Sequence, residues 1–300
     1  MPGEFIVSQL ASELPATPPQ RLAELWRTLS AKVFGHEYVP AGQVASCACH
    51  RFWIRGDADL KLLRSETRRF LAENNLACDC AVQPASARKL RPGLIAFDLD
   101  STLISVEVID ELAKLAGVHQ QVAQITEAAM RGEMEFQQAF RERIALLNGL
   151  EQRRCRELLE RIQVTEGAER LIKTLRAFGC RTALLSGGFS FVADWLKSRL
   201  PIDYAVTNQL PIANGRVTGD VTTQIVDGAQ KSLAFREFAA SNSIPLNETI
   251  AVGDGANDLP MMALAGLSVA FRAKPKIREQ ADVSLSQVGL DGILHLIAPG

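Results

Sequence analysis

Short, continuous apolar runs alternate with helical patterns through the later two thirds of the chain. Gly93-Leu94-Ile95-Ala96-Phe97 has the length and composition of a strand buried on both faces, and Arg181–Leu185, Thr249–Val252, Leu267–Phe271 and Val283–Leu285 read as further strands. The 3.6-residue apolar period predicts helices over Ala168–Phe178, Phe189 to about Arg199, and about Ala229 to Ser241, with a strand at Tyr204–Thr207. Asn214-Gly215 marks a hairpin turn. The expected fold is therefore α/β, a Rossmann-like parallel sheet with helices on both faces.

One segment breaks the alternation. From Val108 to about Ile162 the pattern is helical throughout, punctuated by Gly117, Gly132 and Gly149 into about four helices. An all-helical insertion after the first strand of such a sheet is most economically a cap over its carboxyl edge, spanning about residues 108–165.

Residues 1–88 read as a small α/β accessory domain, and 89–300 as the main domain. Apolar Leu22, Leu25, Trp26 and Leu29 share one face of a helix expected from Leu22 to about Val33. Strands are expected at Val44–Ile54 and Ala77–Val82, a helix at Asp59–Asn74, and a linker at Gln83–Arg88. Cys47 and Cys49 on one strand and Cys78 and Cys80 on the other would meet if those strands paired. Their spacing is not that of a structural zinc site, and alternation sets Cys78 and Cys80 beside Leu76 and Val82 as small core residues.

Composition narrows the partners. Thirty-three basic residues balance thirty-four acidic ones without a long basic run, so neither nucleic acid nor an anionic membrane is expected as a partner. No apolar run has the length of a membrane span, and Met1-Pro2-Gly3-Glu4-Phe5 lacks the basic start of a secretory signal. Six cysteines in 300 residues suit a reducing compartment, so the expected location is the cytoplasm.

Candidate chemistry sits where strands end. Asp98 and Asp100 follow the first strand, with the hydroxyls of Ser101 and Thr102 beside them. Taken alone, these residue types are equally those of a turn and helix cap. Three more stations follow in order: Ser186 with Gly187 and Gly188, then Lys231, then Asp254 with Asp258 in Gly253-Asp254-Gly255-Ala256-Asn257-Asp258.

Together these stations resemble the haloacid dehalogenase superfamily of phosphotransferases, and within it the bacterial branch that hydrolyses phosphoserine. The resemblance spans roughly residues 90–297 and rests also on Ile109-Asp110-Glu111-Leu112-Ala113-Lys114-Leu115-Ala116-Gly117 and Ala129-Met130-Arg131-Gly132-Glu133. It implies magnesium held by carboxylate oxygens of Asp98 and Asp254 and the backbone carbonyl of Asp100, with Asp258 in the outer shell. This agrees with the preference of hard oxygen donors and phosphate for that ion. It further implies Asp98 as nucleophile, giving an aspartyl phosphate, and Asp100 as acid and then base. Ser186, Gly187, Lys231 and Asn257 would bind substrate. Glu107 is placed against an ammonium and Arg143 against a carboxylate, the charges of an amino-acid headgroup.

Met130 and Phe136 match residues that line the family's lid. Ser105, two residues before Glu107, departs from the more polar residue often found there. The implied activity is hydrolysis of L-phosphoserine in the last step of serine synthesis. Competing readings are a phosphatase for another small phosphomonoester and a phosphoaspartate signalling receiver. Against the receiver stand the Asp-x-Asp arrangement and the large helical insertion. A third reading makes the amino-terminal block the functional part, and a homodimer through that block is carried as an expectation.

Overall fold

The computed structural model describes residues 3–17 and 19–297. Its amino-terminal part runs β1 (Gly3–Ala11), α1 (Gln20–Thr28), β2 (Ala31–Val39), β3 (Ala48–Gly56), α2 (Leu60–Glu73) and β4 (Asp79–Pro84). The four strands form an antiparallel sheet in the order β2-β3-β1-β4. Alternation assigns its faces: Phe5, Val7, Phe52, Ile54 and Val82 pack on Leu22 and Trp26 of α1 and Leu63 of α2.

Several expectations for this part are corrected. The helix expected from Leu22 to Val33 is α1, which ends at Thr28. Ser30 then turns the chain at φ 59°, and Ala31–Val39 form a strand instead. A ladder to β3 satisfies the backbone there, which local helical periodicity could not reveal. β1 was not anticipated, the strand expected from Val44 begins at Ala48, and Gln83 and Pro84 belong to β4 rather than to a linker. The cysteine strands do not pair with each other. β1 lies between them, with Leu10 opposite Cys49 and Gln9 opposite Cys80. Cys49 packs toward the main sheet while Cys80 packs on the helical side, where its thiol shares a hydrogen bond with that of Cys78.

The larger part comprises β5 (Leu94–Phe97), α3 (Val108–Ala116), α4 (His119–Met130), α5 (Phe136–Leu146), α6 (Gln152–Leu158), α7 (Ala168–Ala177), β6 (Arg181–Phe189), α8 (Ser190–Lys197) and β7 (Tyr204–Asn208). There follow β8 (Ile212–Ala213), β9 (Arg216–Val217), α9 (Gly228–Ser241), β10 (Thr249–Gly253), α10 (Leu259–Met262), β11 (Leu267–Phe271), α11 (Pro275–Gln280) and β12 (Val283–Leu285). The six-stranded parallel sheet has the order β12-β11-β10-β5-β6-β7. β5 is wholly buried: Ile95 and Phe97 enter one core layer, Leu94 and Ala96 the other, which contains Phe235 of α9 and Met261 of α10.

The cap is α3 to α6, with Gly117, Gly132 and Gly149 all at positive φ. Asn214-Gly215 turns the β8–β9 hairpin as expected. The hairpin braces the cap: Gly149 N–H donates to the Val217 carbonyl at 2.8 Å, and Val217 N–H to the Leu150 carbonyl at 2.9 Å. β6 also runs further than expected, through Ser186 to Phe189, with its pairing interrupted between Leu185 and Phe189. The two sheets meet away from the predicted site residues. Asp79 accepts from the backbone N–H of Ser286, Gln287 and Val288, and Asp291 from the N–H and hydroxyl of Ser46.

Candidate active site

In the sheet order, β6 and β7 lie on one side of β5 and β10 to β12 on the other, so the chain reverses direction across the sheet at β5. Crevices form at such a point, beyond the carboxyl ends of the strands. Asp98 follows β5 and Asp254 follows β10, its neighbour, which brings both carboxylates to one rim. Carboxylate oxygens of Asp98, Asp254 and Asp258 lie within 4.8 Å of one another.

Lys231, near the start of α9, enters from below. Its Nζ donates to Asp98 Oδ1 at 2.8 Å and Asp258 Oδ1 at 2.7 Å, and it is fully buried with Asp258. Asp227 caps α9 by accepting from the N–H of Ala229 and Gln230, fixing the turn that carries the lysine. Burial works against the Lys231 charge, but Asp258 and Asp98 outweigh it and hold the ammonium above its ordinary value. One ammonium does not balance the carboxylates. Burial, then Asp98 and Asp258, push Asp254 up to about 8; burial and Asp98 push Asp258 up to about 6.

Between Asp98 and Glu107 the backbone is irregular, with Asp100 extended and Ser101 left-handed at φ 56°. The Ser101 hydroxyl donates to Glu107 Oε1 at 2.6 Å, so the loop aims this glutamate across the crevice mouth. Glu107 is open to solvent yet ringed by protein. Burial, then Asp98 and Asp110, raise its carboxyl despite the Ser101 bond and the positive charge of Lys274. The Asp100 carboxyl is crowded, with Oδ1 buried and without a hydrogen-bond partner. Burial, then Glu107 and Asp98, push its carboxyl well above the usual range, favouring the protonated acid. A Cβ on Gly188 would stand 2.8 Å from Asp100 Oδ2, so any side chain there must displace that carboxyl. The Ser186 hydroxyl accepts from Gly188 N–H at 2.9 Å, which leaves its own proton free to donate. Thr102 is fully buried beside them, and its hydroxyl has no hydrogen-bond partner.

The cap supplies the opposite wall. Arg143, late in α5, is anchored by its Nε to the Ala139 carbonyl at 3.2 Å. Burial lowers its pKa, while the carboxylates of Asp110, Glu107 and Asp100 act on it in the opposite sense. That places the guanidinium facing the crevice. The Phe136 ring ends 3.3 Å from where a Cβ on Gly187 would sit, and Met130 Sδ meets Lys274 Nζ at 3.4 Å. Asn257 lies on the turn after Asp254, its backbone carbonyl against Gly228 at the start of α9.

Sequence reasoning missed Lys274, Asp110 as a charge near Arg143, and the bond from Gln137 Nε2 to Asp227 Oδ2 at 2.9 Å. Asp110 belongs to the Ile109–Gly117 stretch that carries the family resemblance, but Lys274 and Gln137 carry no local pattern.

Hard carboxylate oxygens converging on one point, with a buried unpartnered Asp100 oxygen nearby and too little positive charge, fit a hard divalent cation. A metal-assisted hydrolase with a helical cap is the class this fold and crevice define. The chain belongs to the haloacid dehalogenase-like hydrolase family, whose model matches residues 95–263. It is 43% identical over 246 residues to a phosphoserine phosphatase of Archaeoglobus fulgidus, covering 81% of this chain and 71% of that one. Some relatives are longer: the match spans only 54% of the phosphoserine phosphatase of Streptomyces coelicolor.

Two solved structures resemble it along nearly its whole length. A haloacid dehalogenase family hydrolase from Salmonella enterica serovar Typhi aligns with a TM-score of 0.85 at 27% identity, covering 97% of this chain and 98% of that one. A probable phosphoserine phosphatase from Vibrio cholerae aligns with a TM-score of 0.76 at 33% identity, covering 98% and 86%. Among the described residues, no helix is long and apolar enough to cross a membrane.

Proposed function

We propose that the chain hydrolyses L-phosphoserine to L-serine and phosphate through a phosphoaspartate on Asp98. The observation that carries this is the pairing of an acidic cluster around Lys231 with Glu107 and Arg143 at the mouth above it. A phosphomonoester needs the first, and an amino-acid headgroup needs the second.

In this reading the Asp98 carboxylate attacks phosphorus in line, the ester oxygen departs with its electron pair, and Asp100 gives it a proton. Asp100 then takes a proton from the water whose oxygen attacks the phosphoaspartate, releasing phosphate and restoring Asp98. The raised proton affinity of Asp100 supports the first role. Lys231, Ser186, Gly187 and Asn257 bind phosphoryl oxygens. Glu107 receives the substrate ammonium and Arg143 its carboxylate, with Phe136 excluding water, whereas Met130 is 62% exposed and lies outside the pocket wall. Asp98, Asp254 and the Asp100 carbonyl would hold magnesium, with Asp258 behind them. When bound, the ion supplies the positive charge that lets a dianion approach these carboxylates.

We place this activity in serine synthesis in the cytoplasm, set the boundary between the two parts near residue 88, and assign any homodimer to the amino-terminal part. The test is phosphate release from a panel of phosphomonoesters with and without magnesium. Preference for a substrate lacking the amino-acid headgroup would replace phosphoserine with another small phosphoester, a reading to which the similarity with the Salmonella hydrolase is equally compatible.

A further inference from the structure

We propose that Gln137 is a positioning residue that latches the cap shut, and that it does so through the aspartate that caps the lysine-bearing helix. The proposal deepens the phosphatase reading and rests on it. Gln137 is the second residue of α5, and its Nε2 leaves the cap to donate to Asp227 Oδ2 at 2.9 Å. The ionised aspartate only accepts, so the amide must present its nitrogen. The other oxygen, Oδ1, accepts from the N–H of Ala229 and Gln230 at 3.0 Å each, and the Asp227 carbonyl accepts from Lys231 N–H at 2.9 Å. One residue therefore joins the cap to the turn from which Lys231 reaches Asp98.

The bond also sits at the mouth. Next to Gln137, Phe136 closes on Gly187. The Asp227 carboxyl is held below the usual carboxylate range, first by the Gln137 amide and, against the opposing effect of burial, by the helix N–H groups. Asp98 is only 5% exposed, and in this proposal the cap swings away to admit a phosphoester to it. Each turnover then breaks and remakes the Gln137–Asp227 bond. A bond made only in the closed state raises the closed fraction, and with it the apparent affinity for any substrate that must be enclosed.

The test compares the native protein with Gln137→Leu, which keeps the bulk without the donor, and Gln137→Glu, which sets a carboxylate against Asp227. Both phosphoserine and p-nitrophenyl phosphate are used. The exposed bond is modest, so the leucine variant should raise KM for both substrates roughly three- to tenfold, with kcat within about twofold and an unchanged melting temperature. The glutamate variant should raise KM further. An unchanged KM in Gln137→Leu, a loss confined to kcat, or native behaviour of Gln137→Glu would each overturn the latch. Failure of the native protein to hydrolyse phosphoserine while it turns over the aryl phosphate would instead overturn the substrate assignment and leave the latch readable.

Discussion

Lys231 Nζ stands 2.8 Å from Asp98 Oδ1, a contact made across 133 residues of sequence in a pocket closed to solvent. Among the described residues the ammonium is the one buried positive charge placed between Asp98 and Asp258, and it holds those two carboxylates in a fixed arrangement. Stability and chemistry are thus coupled through one side chain.

Removing that charge should cost both. Lys231→Ala leaves two buried carboxylates facing each other, and breaking a buried pair in this way costs about 3–5 kcal/mol. Urea unfolding should show the loss, partly restored by millimolar magnesium. A variant as stable as the native protein in the presence of chelator would contradict this account.

The deficit of positive charge predicts dependence on a divalent cation. Chelation should abolish phosphate release, and magnesium should restore it. Calorimetric titration should show Asp254→Asn binding magnesium at least about tenfold more weakly, the scale expected when one of a few carboxylate ligands is lost. Full activity in chelator would remove the cation from the scheme.

Headgroup recognition predicts selective damage. Arg143→Ala should lower kcat/KM for phosphoserine by about 100-fold or more, the scale of a lost charge-assisted pair, yet lower that for p-nitrophenyl phosphate only slightly. Equal losses on the two substrates would refute the assignment.

The clearance at Gly188 predicts a loss without unfolding. In Gly188→Ala the new methyl would meet Asp100 Oδ2 at 2.8 Å and Ser186 Oγ at 3.2 Å, so the carboxyl must move. Displacement of an acid by about 1 Å costs on the order of 100-fold in rate. The melting temperature should change little, and a crystal structure should show Asp100 turned away.

His50 gives the amino-terminal part a pH dependence. Its Nε2 faces the Pro15 carbonyl at 2.7 Å and so carries the proton, while Nδ1 accepts from His36 Nε2 at 2.8 Å. Burial, followed by the neighbouring His36, lowers its pKa below 6.5, against the pull of the Pro15 carbonyl. The unfolded chain therefore binds the proton first. Stability is full above about pH 6.5 and falls as the pH drops from there toward the lower folded value. Urea midpoints between about pH 7.5 and 5.5 should decline more steeply for the native protein than for His50→Asn; parallel declines would exclude His50 as the titrating group.

Local chemistry made much of this protein readable. A strand buried on both faces must be apolar at every position, so Gly93–Phe97 announced β5 and set Asp98 at its end. Left-handed turns favour glycine, so Gly117, Gly132 and Gly149 divided the cap. The amino-terminal sheet was harder because its strands carry buried polar residues, Ser8, Gln9, His50 and Arg51 among them, and because β2 is half exposed. Near Leu29 a helical period runs straight into β2, and only pairing with β3 decides where it stops.

The sequence by itself determined which groups could do chemistry and that Asp98 and Asp254 would stand where strands end, because backbone conformation and side-chain type are local properties. Tertiary structure alone decided the distances among them. Lys231 bridges Asp98 and Asp258 because β10 pairs with β5 and α9 packs on that sheet. Gln137 reaches Asp227 because the cap folds back over the crevice, and Asp100 has room only because Gly188 passes beside it. Such contacts join residues far apart in the chain, and which of them form depends on strand order and packing, quantities that no single stretch encodes.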